Sequence, residues 1–272
     1  MGGNMEKKIK KIIVNGLTLS RIGATILLPV LIGSLSAISF LLLMGAILFT
    51  DCLDGLLARK WKVSTLFGSL ADMTADKIFG IAMLVVLSTM YPLMLIPLSL
   101  EVLIGTININ NTLHGGDGKS IQVGRIKMWV MGITMSLVLL TGLSPELISD
   151  LENIKIDNEL LSECKVMLQN LLDKINKNKE MINAIPLSST IAIQAKTALE
   201  YNKKLNKNKK YNRKKHIKEL KKYKEYIKKV LLDENYYEVT KDLSLNDKLF
   251  PDDKKRAEIK KLVLNYKNSI DK

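Results

Sequence analysis

Four carboxylates fall at helical spacing within 26 residues: Asp51 and Asp54, then Asp72 and Asp76. Between Leu17 and Leu143 the chain carries six acidic residues, and the other two are Glu101 and Asp117. On an α-helix, residues three and four apart share a face. Asp51, Asp54 and Ala58 therefore form one row with Gly55 and Arg59 beside it. Gly68, Asp72 and Asp76 form a second stripe, whose first member has no side chain to block a partner or ligand. Strongly apolar stretches flank the window, so four ionised groups would share a partly dehydrated pocket. They must be neutralised by protons, by basic groups or by metal. Magnesium, manganese and calcium take oxygen ligands, and a carboxylate cluster without a His or Cys ligand set argues against zinc. Two such ions roughly 3.5 to 4 Å apart suit phosphoryl chemistry.

The helices that must present these groups read as membrane spans, each needing roughly 20 apolar residues. Ile22 to Ile32, with Leu17 and Leu19, makes one, and Leu35 to Thr50, running into the carboxylates, a second. A third starts near Ser64, carries Asp72 and Asp76 in its first turns and ends at Tyr91-Pro92, where proline breaks the helix. Leu93 to about Ile107 and Ile126 to Leu143 make a fourth and fifth. A sixth, Ala184 to Tyr201, is weakly apolar and contains Lys196, with a five-span chain as the alternative. Basic residues in short loops set orientation. Lys7, Lys8, Lys10 and Lys11, then Arg59, Lys60 and Lys62, then Lys119, Arg125 and Lys127 all fall on one side, which puts the carboxylates at the cytoplasmic face. The sixth span returns the C-terminus to that side.

The mean hydropathy of +0.10 and net charge of +14 average over unlike parts. The last 70 residues hold +12 of that charge, as 23 basic against 11 acidic groups. This divides the chain into an interfacial basic helix at 1–16, a membrane core at 17–143, a helical insert at 144–182 on the far side, the sixth span at 183–202 and a basic helical extension at 203–272. The fold class is thus all-α, a polytopic six-helix membrane bundle. Its basic extension, including Lys203 to His216 and Ile217 to Leu231, suits anionic lipid, at about 1 kcal/mol per cation near the surface. No nucleic-acid-binding signature accompanies it. Ser34 to Ala37 is rich in small residues, but direct continuation into another apolar span argues against a cleaved signal peptide. Cys52 and Cys164 build no disulfide or metal site, His114 and His216 stand isolated, and Gly115 to Gly118 reads as a turn.

The carboxylate pattern reads D-x2-D-G-x2-A-R-x8-G-x3-D-x3-D, with all eight specified residues present. It resembles the signature of the CDP-alcohol phosphotransferase family, closest to phosphatidylglycerophosphate synthases. The resemblance implies a membrane enzyme, usually a homodimer, that moves a substituted phosphate from a CDP-linked donor to an alcohol and releases CMP. It implies that Asp51, Asp54, Asp72 and Asp76 hold two Mg2+ or Mn2+ ions and that Asp76 takes the acceptor's proton. Gly55, Ala58 and Gly68 would leave room for the nucleotide, and Arg59 would contact it. Asn15-Gly-Leu17-Thr18-Leu-Ser-Arg21 is similar to the N-x-L-T-x-x-R entry of the synthases, placing Thr18 beside the donor and Arg21 beside the acceptor phosphate; an N-cap and an interfacial arginine are the plain alternative. Val123-Gly124-Arg125-Ile-Lys127 is similar to their G-K-x-K-T run, making Arg125 and Lys127 acceptor-phosphate groups, with flanking charge as the plain alternative. Met73 and Leu100 depart from the synthase pattern, which has Pro and Arg there. The implied reaction is phosphatidyl transfer from CDP-diacylglycerol to glycerol 3-phosphate at the cytoplasmic membrane. Other acceptors, such as serine or inositol phosphate, and a non-catalytic membrane anchor are the alternatives.

Overall fold

The computed structural model describes residues 2–113, 122–154, 159–208, 218, 221, 223–243, 245–249, 251 and 253–270. His114, the Gly115 to Gly118 turn, Lys119, His216 and much of the basic run from Lys209 lie outside them. The described residues form helices and no strand. They are α1 (Gly2–Leu31), α2 (Ala37–Lys60), α3 (Leu66–Met90), a short 3-10 turn (Pro92–Met94), α4 (Leu95–Leu113), α5 (Gln122–Asn153), α6 (Glu159–Lys177) and α7 (Lys179–Asn208). Four shorter helices follow: α8 (Lys224–Leu231), α9 (Glu234–Val239), α10 (Leu245–Leu249) and α11 (Asp253–Ile270). Parts of α1, α2, α4 and α5 are long and apolar enough to cross a membrane by length and composition. With the apolar α3 packed among them, the fold is an all-α polytopic membrane bundle.

Local chemistry sets the joint on which the carboxylates depend. The basic N-terminal stretch and the first apolar stretch are one continuous helix, about 45 Å long at 1.5 Å per residue, so its basic turns project beyond a hydrocarbon core of about 30 Å. Helix α2 ends in a left-handed residue, Lys62, at φ 53°. Around it, Val63 N–H donates to Ala58 O at 3.0 Å and Lys62 N–H to Arg59 O at 3.2 Å. That is the Schellman arrangement, which satisfies the last carbonyls and turns the chain sharply. Thr65 then caps α3, its hydroxyl accepting from Gly68 N–H at 3.1 Å. The eight-residue spacer between Arg59 and Gly68 is therefore a helix stop followed at once by a helix start. At the other end of α2, Asp150 of α5 accepts from Ile38 N–H at 3.1 Å, a carboxylate on a helix N-terminus.

The core lies among α1, α2, α3, α5 and α7, where Leu28, Phe40, Leu84, Leu87, Met94, Met131, Val138 and Leu143 are almost fully buried. Helices α3 and α5 run parallel. A Cβ on Gly80 would meet Met131 Cε at 3.8 Å, and one on Gly142 would meet Met90 Sδ at 2.6 Å, so matching residues sit about 51 apart. Helix α7 runs antiparallel along α5 and parallel to α4. Asn183 donates to Thr141 Oγ1 at 2.9 Å, Thr190 and Thr134 share a hydroxyl bond at 2.7 Å, and Ile104 of α4 packs on Ala198 and Tyr201. Helix α6 packs against α5 and buries Leu172, while Leu160, Leu161, Met167, Leu168 and Leu171 stay exposed. Beyond α7, Val230, Tyr236 and Ile259 make a small separate core for α8 to α11.

Candidate active site

Helices α1, α2 and α3 converge on Arg21. Its guanidinium is 4 % exposed and pairs with Asp51, with Asp72 at 2.8 Å and with Asp76 at 3.3 Å. Asp51, Asp72 and Asp76 each offer a carboxylate oxygen within 4.8 Å of the others. Asp54 is buried and turned a little aside, accepting from the Thr18 hydroxyl at 2.7 Å. The four sequence-predicted carboxylates thus lie on one joint, three meeting one another and the fourth held by α1. Thr18 and Arg21 stand one turn apart on α1, so the same helix face supports both carboxylate pairs.

Close approach of α1 to α3 depends on Gly68. A Cβ there would come within 3.3 Å of Thr65 Oγ1 and 3.4 Å of Asn15 Oδ1. Gly55 lies beside Arg59, whose Nη2 would be 3.9 Å from an added Cβ. Arg59 is exposed at the end of α2, Ala58 is half-buried one position before it, and Gly68 is half-buried at the start of α3. These are the expected nucleotide-side residues, gathered on the same end of the bundle.

Of the two expected acceptor-phosphate groups on α5, Arg125 is exposed and Lys127 is buried. Lys127 Nζ donates to both Glu101 oxygens at 2.6 Å. Lys127 precedes Met131 by one turn and Asp76 precedes Gly80 by one turn; the parallel register of α3 and α5 therefore sets Lys127 level with Asp76. A shallow apolar groove along Met128, Trp129, Gly132, Ile133 and Leu137 on α5 shares no residue with this site.

The donor set fits hard divalent ions. Three half-exposed carboxylates meet at one point with no nitrogen or sulfur ligand among them, and the cation they hold is an arginine. Arg21 Nε is itself buried without a hydrogen-bond partner among the described residues. A buried guanidinium with an unused N–H beside carboxylates suits a site that also receives an anion.

A family model described as CDP-alcohol phosphatidyltransferase matches residues 11–156, which hold every one of these groups. The chain belongs to the CDP-alcohol phosphatidyltransferase family. One relative is a CDP-diacylglycerol--glycerol-3-phosphate 3-phosphatidyltransferase of Haemophilus influenzae, 55% identical over 38 residues. That stretch covers 14% of this chain and 20% of the relative, so the match spans about a fifth of the relative's length. No solved structure matches the chain. Sequence reading of this family member missed Gln194 on α7, which is fully buried and donates to Glu101 Oε2 at 3.3 Å. The signal was present as four polar residues, Asn183, Thr190, Gln194 and Thr197, that fall on one face of a helix otherwise exposing Met181, Ile185 and Leu199.

Proposed function

We propose that the chain transfers a phosphatidyl group from CDP-diacylglycerol to glycerol 3-phosphate and releases CMP. The observation that carries this reading is the meeting of Asp51, Asp72 and Asp76 around Arg21, with Asp54 held beside them. Asp51, Asp54, Asp72 and Asp76 would hold the divalent ions; when bound, Mg2+ or Mn2+ supplies charge neutralisation at the donor diphosphate and at departing CMP. Asp76, half-exposed and with the longest of the three contacts to Arg21, takes the proton from the acceptor hydroxyl. The freed oxygen attacks the phosphatidyl phosphorus, a new P–O ester forms, and the P–O bond to CMP breaks. Thr18, Gly55, Ala58, Arg59 and Gly68 line the nucleotide side, while Arg21, Arg125 and Lys127 receive the acceptor's phosphate. Positioning and charge neutralisation are the main contributions such a site makes to phosphoryl transfer.

The reading places the site at the cytoplasmic face of the cell membrane and makes α7 the sixth span. Support comes from parity: Lys11, at the start of α1, donates to Leu232 O at 3.2 Å and pairs with Glu234, so the C-terminal helices lie on the same side as the N-terminus. An odd number of crossings would separate them. Polar residues on α7 face inward to Thr134, Thr141 and Glu101, and the exposed Ser188 and Ser189 hydroxyls both bond Ile185 O, which suits a lipid-facing surface. Between Lys203 and Lys222 the net charge is +10, which suits anionic lipid where α7 leaves the membrane. A homodimer belongs to the same reading.

The test is CMP release by purified protein given CDP-diacylglycerol and Mn2+, with glycerol 3-phosphate, serine or inositol phosphate added separately. Release with glycerol 3-phosphate alone is expected. Release with another acceptor would move the chain to a different branch of the family, and no release with any would favour a non-catalytic anchor.

A further inference from the structure

Helix α7 lies outside the family-matched residues 11–156, yet it reaches a buried ion pair between α4 and α5 that the four carboxylates do not use. Lys127 and Glu101 side chains are 6 % and 15 % exposed. Gln194 is fully buried against them. Its Nε2 donates to Glu101 Oε2 at 3.3 Å and to Pro97 O at 3.2 Å, and lies 3.6 Å from Met131 Sδ. One amide therefore ties the Glu101 carboxylate to the α4 backbone and touches the α5 residue that packs on Gly80. Lysine has three N–H donors, and Glu101 takes two of them at 2.6 Å. The third can serve an anion only if the ammonium is held in one orientation. A carboxylate free to rotate would not hold it.

We propose that Gln194 is a positioning residue for the acceptor: by fixing Glu101 it orients the Lys127 ammonium, level with Asp76, toward the acceptor's phosphate. This rests on the acceptor reading given above. Gln194 Oε1 is buried without a hydrogen-bond partner among the described residues, so the amide reaches the ion pair through its Nε2 donor. The assignment also gives the sixth helix a part in substrate choice, since Lys127 and Glu101 come from α5 and α4 and their orienting amide from α7. Serine has no phosphate to meet such an ammonium, whereas glycerol 3-phosphate does.

The experiment compares steady-state kinetics of the full chain and its Gln194→Met variant in detergent or vesicles, with CDP-diacylglycerol, Mn2+ and glycerol 3-phosphate. Methionine keeps the volume and loses the donor, and a hydrogen bond to a charged group is worth about a tenfold change or more. The expected result is a KM for glycerol 3-phosphate raised about tenfold, with kcat and the KM for CDP-diacylglycerol within about twofold. In a Glu101→Gln background, Gln194→Met should raise the acceptor KM no further, because the two act through one orientation. Thr190→Val on the same helix removes a packing hydroxyl and should lower the melting temperature without touching the acceptor KM. An unchanged acceptor KM in Gln194→Met overturns the inference alone. So does a rise in both substrates' KM together with a fall in melting temperature, which marks a purely structural role. Absence of turnover with glycerol 3-phosphate in the unaltered chain overturns both the inference and the acceptor reading beneath it.

Discussion

Arg21 is the cation that three carboxylates share, and removing it exposes what holds the site together. It is buried while Asp51, Asp72 and Asp76 keep 40 to 53 % of their side-chain surface, so solvent already screens part of the attraction. Arg21→Gln should therefore cost about 2 kcal/mol in metal-free protein, less than a fully buried pair would. Adding Mn2+ should recover much of the lost melting temperature, because the ion replaces the missing positive charge. An unchanged melting temperature in the variant would show that the carboxylates are balanced by water alone. The residue types of this site were legible in the sequence, since spacing alone gathers Asp51 with Asp54 and Asp72 with Asp76. Arg21 as their common partner was not, because nothing local links a residue on α1 to carboxylates 30 and more positions away.

Among the elements, the joint between α2 and α3 does most to set the geometry, and Gly68 is its narrowest point. Gly68→Ala would press a methyl group to within 3.4 Å of both Thr65 Oγ1 and Asn15 Oδ1, pushing α1 from α3 just where Thr18 and Arg21 reach across. A loss of about 1 kcal/mol in stability and a larger proportional loss of turnover are expected, measured by thermal melting and CMP release. Retention of full turnover would mean that the α1–α3 distance does not matter to the site. Five apolar stretches were readable in the sequence, and four of the helices they form, α1, α2, α4 and α5, are long and apolar enough to cross a membrane, though α5 runs on through Asn153 into what reads as an insert and α1 absorbs the basic N-terminal stretch. Helix α7 was faint because it is polar where the other long helices are apolar: Asn183, Thr190, Gln194 and Thr197 face inward and find partners on α4 and α5 or in their own helix. Averaged hydropathy cannot distinguish a helix packed into the bundle in this way from a surface helix, whereas the facing of its residues does.

At the scale of the whole molecule, the proposed topology of six crossings would bring the C-terminal helices back to the side of the basic turns of α1 and leave α6 on the opposite side. With Cys52 replaced by Ser, a membrane-impermeant maleimide applied to intact cells should label Cys164, while Ser269→Cys should react only after permeabilisation. Labelling of both from one side would contradict the sixth span. The contact that closes the chain on itself is Lys11 with Glu234. Burial raises the Glu234 carboxyl, but hydrogen bonds from Lys11 and from its own backbone, with the charges of Lys11 and Lys7, outweigh that and hold it below the usual glutamate range. A carboxyl depressed in the docked state contributes stability above its undocked value of about 4.3 and loses it as pH falls through the docked one. Protection factors at α8 and α9, which correct exchange rates for their intrinsic pH dependence, should therefore be steady from pH 7 to 5 and fall below pH 4, and Lys11→Ala should weaken that pH dependence. The central claim, that the four aspartates perform phosphatidyl transfer with Asp76 as base, is tested most directly by Mn2+-dependent CMP release from CDP-diacylglycerol and glycerol 3-phosphate in the unaltered chain and in Asp76→Asn. The account predicts steady release in the first and a fall of about a thousandfold or more in the second, at equal melting temperature and equal donor binding; release from Asp76→Asn near the unaltered rate would contradict it.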